Sequence, residues 1–442
     1  MIYWQNGIRV ANAVANVAMK GNKVISYGAN FAKPKMVASA APKVSRESAV
    51  KAAELLTGAI YNSHPIELQY FIKDTCRGAL MIHLQYRVTP FTSQDLTDTG
   101  FTTVTDPFDK VSSPNGWHQY NTTATTSTSG NNAVAYTGST SITTSQTNPT
   151  NIYNYVYNPD IGATVGTNPD AARVNVFYII NMLHDLTVGP GYNCVQDNRG
   201  LGGLANDRVE VQVQSSAGGI INVPADGRSP RIWLGVWSKG DGAYQNDITA
   251  HEYMHGVNGR LTGGGTATCF QTFDAHVLDE GWADALPDLI QRTTANDRDF
   301  VMGKWASPGL RPYPYSTNKT VNPLMYSNSA TTSDSFPGAQ LWAVVWHEIT
   351  VALIKEHGFS TNLFDPTSIS GNTITLHLMI DALISQPCNP TFINARDAVI
   401  QADANRYNGT NKCTLWKAFA KRGLGYGATS AKTNSGTLPT GC

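Results

Sequence analysis

Two histidines four residues apart, in the stretch HEYMH at 251–255, carry the clearest chemistry in this sequence. Residues i and i+4 of a helix lie on one face, so His251 and His255 project side by side. Their ring nitrogens can then reach one metal ion. Glu252 lies beside them, where its carboxylate can take a proton from a water on that metal. The spacing therefore predicts a zinc site with a general base next to it.

A third ligand is expected on the next predicted helix, which contains the stretch DEGWAD. Catalytic zinc takes three protein ligands and keeps one position open. Glu280 follows His255 after the glycine-rich turn LTGGG and is the best candidate. Asp284 lies four residues further along the same helix face and could accept a hydrogen bond from a zinc-bound imidazole, which would orient the ring. We expect one zinc ion, and no calcium-loop signature is visible.

Simpler explanations exist for each part of this pattern. H-E-x-x-H arises by chance in many chains, and Glu280 with Asp284 could be a solvated helix face. The stretch WHEIT holds His347 and Glu348 but no histidine at 351, and we interpret it as an ordinary helix surface. We interpret His276 as a surface or core residue rather than a fourth ligand. The conjunction of an H-E-x-x-H helix, a glycine turn and an E-x-x-x-D helix nevertheless favours zinc.

Composition excludes several other classes of function. Lys plus Arg and Asp plus Glu both total 32, so nothing recommends a nucleic-acid partner. No apolar run approaches the ~18 to 20 residues that a membrane span needs, and we expect no membrane association. The length of 442 residues predicts two or three domains or subdomains. We expect a monomer.

Pattern along the chain predicts an α+β protein in three segments. Residues 1–95 form a separate unit, with two strands around a Gly-Asn turn, a helix that Ser45 could cap, and a strand over 79–88. Residues 96–245 are β-rich, with a buried helix at 172–189. Residues 246–442 are helical. The helices predicted in this last segment are 246–257, 275–292, 336–357, 373–385, 391–404 and 412–421.

Two stretches are candidates for contact with a substrate. The strand RIWLGVW at 231–237 could be an edge strand that pairs with an extended peptide, with Trp233 in contact. The alternative is an internal strand with Trp233 and Trp237 in the core. Arg311 could bind a substrate carbonyl, although a structural salt bridge is the more common role of such an arginine.

The sequence resembles the fungalysin family of secreted fungal zinc metalloendopeptidases, which belong to the thermolysin-like class. The resemblance covers most of residues 100–442, through HEYMHGVNGRLTGG, EGWADAL, NVFYIINMLHDL, GLGGLANDRV, PYPYSTNKTVNPLMY, QPCNPTFINARDAVIQAD and NKCTLWKAFAKRGLGYGA. It implies a β-rich and a helical catalytic subdomain, hydrolysis of proteins or peptides, and secretion. It also implies zinc ligation by His251, His255 and Glu280, with Glu252 as general base and Asp284 in support.

The N-terminal segment and one cleft position depart from the family pattern. GIRVANAVANVAMKGNKVISYGANF resembles the end of the family's propeptide, which implies a zymogen, yet residues 1–21 lack the features of a signal peptide. We expect either an N-terminally truncated chain or a divergent relative with altered maturation. Phe336 stands where the family carries an oxyanion-stabilising histidine. The alternative function is therefore an impaired homologue that binds zinc and peptide without efficient turnover; a zinc-free structural or adhesive protein is a third hypothesis.

The cysteines and sequons fit a secreted glycoprotein. The six cysteines form no C-x-x-C pair. We expect Cys388 to pair with Cys413, closing a loop worth ~3 kcal/mol, and Cys269 to pair with Cys442. No partner is evident for Cys76 and Cys194. The three sequons that permit N-glycosylation lie at Asn121, Asn318 and Asn408.

Overall fold

The computed structural model describes residues 2–5, 8–20, 23–29, 45–57, 66, 68–71, 77–80, 84–120, 123–147, 152–188, 204, 207–330 and 335–442. The chain divides into two units, Met1–Gln85 with Gln146–Tyr153, and Tyr86–Ser145 with Asn154–Cys442. The second unit carries every residue of the candidate site.

Short strands dominate the first half of the described chain. In chain order they are β1 Ile2–Gln5, β2 Ile8–Lys20, β3 Lys23–Ala29, β4 Leu68–Phe71, β5 Arg77–Leu80, β6 Gln85–Val88, β7 Thr102–Thr105, β8 Gln119–Tyr120, β9 Thr123–Ala124, β10 Ala133–Tyr136, β11 Ile152–Tyr153, β12 Val209–Ser215, β13 Ile220–Asn222, β14 Arg231–Trp237 and β15 Gly240–Asp241.

Helices dominate the second half. In chain order they are α1 Arg46–Thr57, α2 Leu96–Thr99, α3 Asn168–Val188, α4 Asn246–Leu261, α5 Phe273–Ile290, α6 Phe336–His357, α7 Gly371–Ser385, α8 Phe392–Tyr407 and α9 Lys412–Lys421, with 3-10 turns at Gly242–Tyr244 and Tyr326–Ala330. The predicted α+β class is confirmed, and so are the six helices predicted after residue 245.

The first unit is built around a mixed sheet. β1, β2, β4 and β5 are neighbours in that order, and β3 pairs with β2. The antiparallel β2–β3 pair confirms the two strands predicted around the Gly-Asn turn, whose tip at 21–22 lies outside the described residues. Helix α1 begins as predicted, because the Ser45 hydroxyl accepts the backbone N–H of Ser48 at 3.1 Å.

In the second unit a five-stranded sheet leads into the site. Its order is β10-β12-β14-β13, with β15 also on β14. β10, β12 and β14 are parallel, whereas β13 and β15 run antiparallel to β14. The predicted buried helix is confirmed as α3, which packs on β10, β12 and α4. Of the two alternatives for 231–237, the edge strand is wrong and the internal strand is observed, because β14 is paired on both sides and β13 is the short strand beyond it. Trp233 and Trp237 are half-buried rather than in the core.

Helix α6 lies against α5 and α9 in the helical part of the second unit. Trp282 of α5 and Trp342 of α6 meet edge to face, with ring centroids 5.3 Å apart. Gly281 permits this approach, since a Cβ there would lie 2.6 Å from the Cβ of Trp342. The interpretation of WHEIT as a helix surface is wrong: His347 and Glu348 are buried. His347 binds Asp288 at 2.7 Å, and Glu348 accepts from Lys421 and Arg422.

The disulfides differ from the predicted pairs. Cys269 pairs with Cys388, and Cys413 pairs with Cys442. Helix α7 packs against α4, which brings the loop after α7 to the loop between α4 and α5. There the backbone N–H of Asn389 donates to the carbonyl of Cys269 at 2.9 Å. Which cysteines pair is therefore decided by the packing of helices that are distant in sequence, and the spacing of cysteines along the chain does not predict that packing. Cys76 and Cys194 lie outside the described residues.

Candidate metal centre

The structure brings together the two histidines of α4 and one carboxylate of α5. The rings of His251 and His255 lie edge to face, with their Nε2 atoms 3.1 Å apart. Because α5 packs against α4, Glu280 reaches both rings. Its Oε2 lies 3.6 Å from Nε2 of His251, and its Oε1 lies 3.7 Å from Nε2 of His255. One ligand atom from each residue therefore falls within 4.8 Å of the other two.

The chemistry of these donors fits zinc. A carboxylate only accepts hydrogen bonds, so Nδ1 of His251 donates to Oδ1 of Asp284 at 2.7 Å. In the neutral ring this leaves a lone pair on Nε2, which points at Nε2 of His255. Lone pairs and a carboxylate thus converge on one point. Zinc bonds of 2.0 to 2.1 Å would place tetrahedral ligand atoms about 3.3 Å apart, close to the 3.1 Å between the two Nε2 atoms.

The electrostatics of the site also favour a cation. Burial would lower the pKa of His255, but the carboxylates of Asp279, Glu280 and Glu252 raise it to about 10. Without a metal, the site therefore draws a proton onto that ring. The surplus of negative charge that holds the proton would equally attract a divalent cation.

Asp284 is held in place by hydrogen bonds from His251, Arg311 and Tyr315. Burial would raise its pKa, but the guanidinium of Arg311 and the imidazole of His251 hold it well below its usual range. Arg311 donates to Oδ2 at 2.7 Å and to Oδ1 at 3.1 Å, and the hydroxyl of Tyr315 donates to Oδ2. The salt bridge that we weighed for Arg311 is thus present. Its guanidinium still lines the cleft and also lies 3.5 Å from Glu280.

Glu252 lies at the floor of the cleft, on the same helix as the two histidines. Its side chain is buried, and burial raises its pKa, opposed by the nearby imidazoles of His251 and His255. Gly219 approaches it closely: its φ is +53°, and a Cβ there would lie 3.3 Å from Oε1 of Glu252. We did not predict this glycine, although the Gly-Gly pair just before β13 was visible in the sequence.

The cleft has a volume of about 450 Å³ and lies over the metal ligands. Strand β13 and the glycine pair before it border one side. Much of the lining is apolar: Ile220, Ile221, Val223, Trp237, Met302 and Leu310. A cleft with apolar walls and a few converging polar groups is the usual form of a ligand site.

Of three further residues considered in the sequence, Phe336 and His276 line the cleft and Trp233 does not. Phe336 lines the cleft, with 46% of its surface exposed, and the guanidinium of Arg311 lies 5.3 Å from its ring centre. His276 is exposed and also lines the cleft, outside the three-residue metal group. Trp233 is not among the lining residues, whereas Trp237 of the same strand is. The predicted substrate contact of Trp233 therefore loses its basis, since it rested on an edge strand.

One supporting carboxylate was missed. Oδ2 of Asp279 lies 2.9 Å from Nδ1 of His255. Asp279 immediately precedes Glu280, so the i+4 spacing that identified Asp284 does not point to it. Its contact depends on the way in which α5 crosses α4, and no local pattern records that crossing.

An H-E-x-x-H helix and a glutamate from the next helix beneath a substrate-sized cleft define the metallopeptidase class. The family model for the fungalysin metallopeptidases (M36) matches residues 85–428. The chain belongs to this family. Its α+β fold, with a β-rich first part and a helical second part, is the thermolysin-like fold expected of the family.

Curated relatives agree with this membership. The chain is 37% identical over 393 residues to the extracellular metalloproteinase MEP of Pyricularia oryzae, covering 81% of this chain and 62% of that protein. It is 34% identical to the MEP of Leptosphaeria maculans and 33% identical to the mep of Aspergillus fumigatus, each over 80% of this chain and 61% of the relative. The chain thus spans about three fifths of the length of these relatives.

Proposed function

We propose that this chain is a secreted, zinc-dependent endopeptidase that hydrolyses peptide bonds in proteins. The observation that carries the proposal is the convergence of His251, His255 and Glu280 beneath a cleft, with the buried Glu252 on the same helix. We assign the three converging residues as zinc ligands and Glu252 as general base. The family membership supports the same assignment.

The residues of the chain divide the chemistry between them. When bound, zinc supplies a Lewis acid that polarises a carbonyl and lowers the pKa of water. Glu252 accepts a proton from the attacking water at its carboxylate and later passes it to the leaving nitrogen. Its raised pKa brings the carboxylate nearer to the range in which it can do both. Asp284 orients His251, and Arg311 holds Asp284 in place.

The substrate would lie as an extended strand along β13. Among the described strands, β13 pairs only with β14, so its other side can offer backbone groups to a peptide. The apolar lining of the cleft suits an apolar side chain next to the cleaved bond. Arg311 stands where its guanidinium could also reach a substrate carbonyl, since it lines the cleft.

Maturation and location follow from the same proposal. We propose residues 1–95 as a partial propeptide-like segment that acts on the catalytic part, 96–245 as its β-rich subdomain and 246–442 as its helical subdomain. In the described part of the chain, no helix has the length and apolar character to cross a membrane. The sequons at Asn318 and Asn408 are exposed and open to glycosylation, whereas Asn121 lies outside the described residues. The enzyme would act as a monomer.

A second candidate is a homologue that binds zinc and peptide but turns over slowly. Phe336 supports it, because an apolar ring lines the cleft and carries no hydrogen-bond donor for an oxyanion. The buried carboxylate of Glu252, beside the converging ligands, favours the active enzyme.

Hydrolysis of denatured casein by the wild type and by Glu252→Gln tests the proposal. The wild type should cleave, lose activity with a chelator and regain it with added Zn²⁺. Glu252→Gln should lose at least about a hundredfold in kcat, since it cannot accept the proton. Wild-type cleavage that persists with chelator, or unchanged cleavage by Glu252→Gln, would refute the mechanism. Tight zinc and peptide binding by a wild type without cleavage would identify the second candidate.

A further inference from the structure

Each imidazole of the metal centre has a carboxylate behind it. His251 meets Asp284 at 2.7 Å, and His255 meets Asp279 at 2.9 Å, both through Nδ1. The two carboxylates lie on α5, five residues apart, on either side of the ligand Glu280. The other ring nitrogen of each histidine, Nε2, faces Glu280 and would be free to bind a metal ion.

Asp279 is itself held in position by α4. The side-chain amide of Asn258, which is fully buried, donates to Oδ1 of Asp279 at 2.7 Å and to its backbone carbonyl at 3.2 Å. Asn258 thus occupies one carboxylate oxygen and leaves Oδ2 for His255. Asn258 lies three residues after His255 on the same helix, so the contact also ties α5 to α4 next to the metal ligands.

The contact between Asp279 and His255 differs in geometry from the hydrogen bond between Asp284 and His251. Nδ1 of His255 makes no in-line hydrogen bond, although Oδ2 of Asp279 is only 2.9 Å away, so the N–H···O angle is bent. The carboxylate therefore acts on this imidazole both through its charge and through this short, bent contact. It favours the tautomer with hydrogen on Nδ1, which leaves the Nε2 lone pair for a metal.

We propose that Asp279 is a positioning residue of the metal centre, which fixes the tautomer and orientation of His255 and thereby strengthens zinc binding. The inference rests on the proposed zinc-peptidase function and adds to it a second supporting acid. Carboxylates that orient ligating histidines typically change metal affinity by about ten- to a hundredfold. Asp279 also adds negative charge beside the place that a bound cation would occupy, which would strengthen its binding further.

Zinc dissociation constants, measured by competition with a chromophoric chelator at constant pH, test this role. Asp279→Asn keeps the shape of the side chain and removes its charge, and it should raise the dissociation constant about ten- to a hundredfold. Asp279→Glu keeps the charge and should bind zinc more tightly than Asp279→Asn but less tightly than the wild type. Asp274→Asn is the matched control: it lies on the same helix, pairs with Lys432 and does not line the cleft. Its zinc affinity should equal that of the wild type.

A second variant separates positioning from folding. Asn258→Ala removes the amide that holds Asp279 but keeps the carboxylate, so it should raise the dissociation constant about threefold to tenfold, less than the charge-removing change. Thermal unfolding of each metal-free variant shows whether the fold persists. Wild-type zinc affinity in both Asp279→Asn and Asn258→Ala would overturn the proposal for Asp279 alone. A wild type that binds no zinc would overturn the proposed function together with it.

Discussion

At the scale of single residues, the metal centre is a set of negative and lone-pair-bearing atoms beside the guanidinium of Arg311. Glu252, Asp279, Glu280 and Asp284 surround the two imidazoles, and Arg311 neutralises part of this charge. A buried excess of negative charge is costly unless a cation or protons compensate it. Without a metal, a proton on His255 supplies this compensation, which is why the pKa of that imidazole is raised.

Phe336→His should restore a hydrogen-bond donor to the cleft. Phe336 begins α6 and lines the cleft, so an imidazole there can face a developing oxyanion. A donor of this kind contributes about 10² to 10³ in kcat in well-studied hydrolases, and we expect a gain of at least about tenfold. Steady-state kinetics on a fluorogenic peptide measures it. Phe336→Leu, which adds no donor, should show no gain; an equal gain in both variants would show that loss of the ring matters instead.

Spacing alone was sufficient to select most residues of the candidate site. Two histidines at i and i+4, and a glutamate and an aspartate at i and i+4, are local patterns that a helix turns into shared faces. Asp279 and Gly219 were beyond this logic. Their roles depend on where α5 crosses α4 and on how the chain enters β13, and both are tertiary facts.

At the scale of elements, the position of α4 depends on a buried aspartate in its first turn. Oδ2 of Asp247 accepts from the side chain of Gln94 at 2.7 Å and from the backbone of Gly303 at 2.8 Å. Its Oδ1 accepts from Gln245 and from the backbone of Ile248, each at 2.7 Å. These bonds attach two distant segments to the start of the helix that carries both histidines.

Asp247→Asn should loosen this anchor. Each carboxylate oxygen of Asp247 accepts from two donors, so in either orientation the NH2 group of the asparagine would face two N–H groups that it cannot accept from. We expect the loss of these bonds to lower the free energy of unfolding by about 3 kcal/mol. We expect the melting temperature to fall by roughly 3 to 4 °C, as measured by calorimetry on the metal-free protein. Asp160→Asn, on the exposed surface, is the control and should melt with the wild type. Equal melting of both variants would show that Asp247 does not anchor α4.

The elements were predictable where their pattern is local and strong. Helix α6 has the bounds predicted for it, and α9 does too. Strand β14 was also located correctly, but the sequence left open whether it lies at the edge or inside the sheet, because strand order depends on which partners reach it. The disulfide partners were predicted wrongly for a similar reason. Cys388, in the loop between α7 and α8, meets Cys269, in the loop between α4 and α5, only after α7 packs on α4.

At the scale of the whole molecule, the larger unit joins its strands and helices around buried polar groups as well as apolar ones. His118 is one of these groups: it binds the hydroxyl of Tyr86 at 2.6 Å and the carbonyl of Ser127 at 2.8 Å. Its ring lies 5.0 Å from that of Phe177 on α3. Burial lowers the pKa of His118 from 6.5 to about 4, so the folded protein holds this ring neutral.

Acidification should therefore destabilise the fold through His118. Between pH 6.5 and about 4 the unfolded chain binds a proton that the folded chain does not, so stability falls as pH falls through this window. The loss attributable to this group is about 2 kcal/mol at pH 4.5. Urea unfolding at pH 7 and pH 4.5 should show a smaller acid-induced loss for His118→Gln than for the wild type. An identical loss in both proteins would contradict the assignment.

The central claim concerns three side chains that share one zinc ion, and metal content measures it most directly. Wild type, Glu252→Gln and Glu280→Ala would each be loaded with Zn²⁺, dialysed against metal-free buffer and analysed for zinc per chain. We expect about one zinc in the wild type and in Glu252→Gln, and far less in Glu280→Ala, which has lost a ligand. A folded Glu280→Ala protein that retains as much zinc as the wild type would contradict the claim.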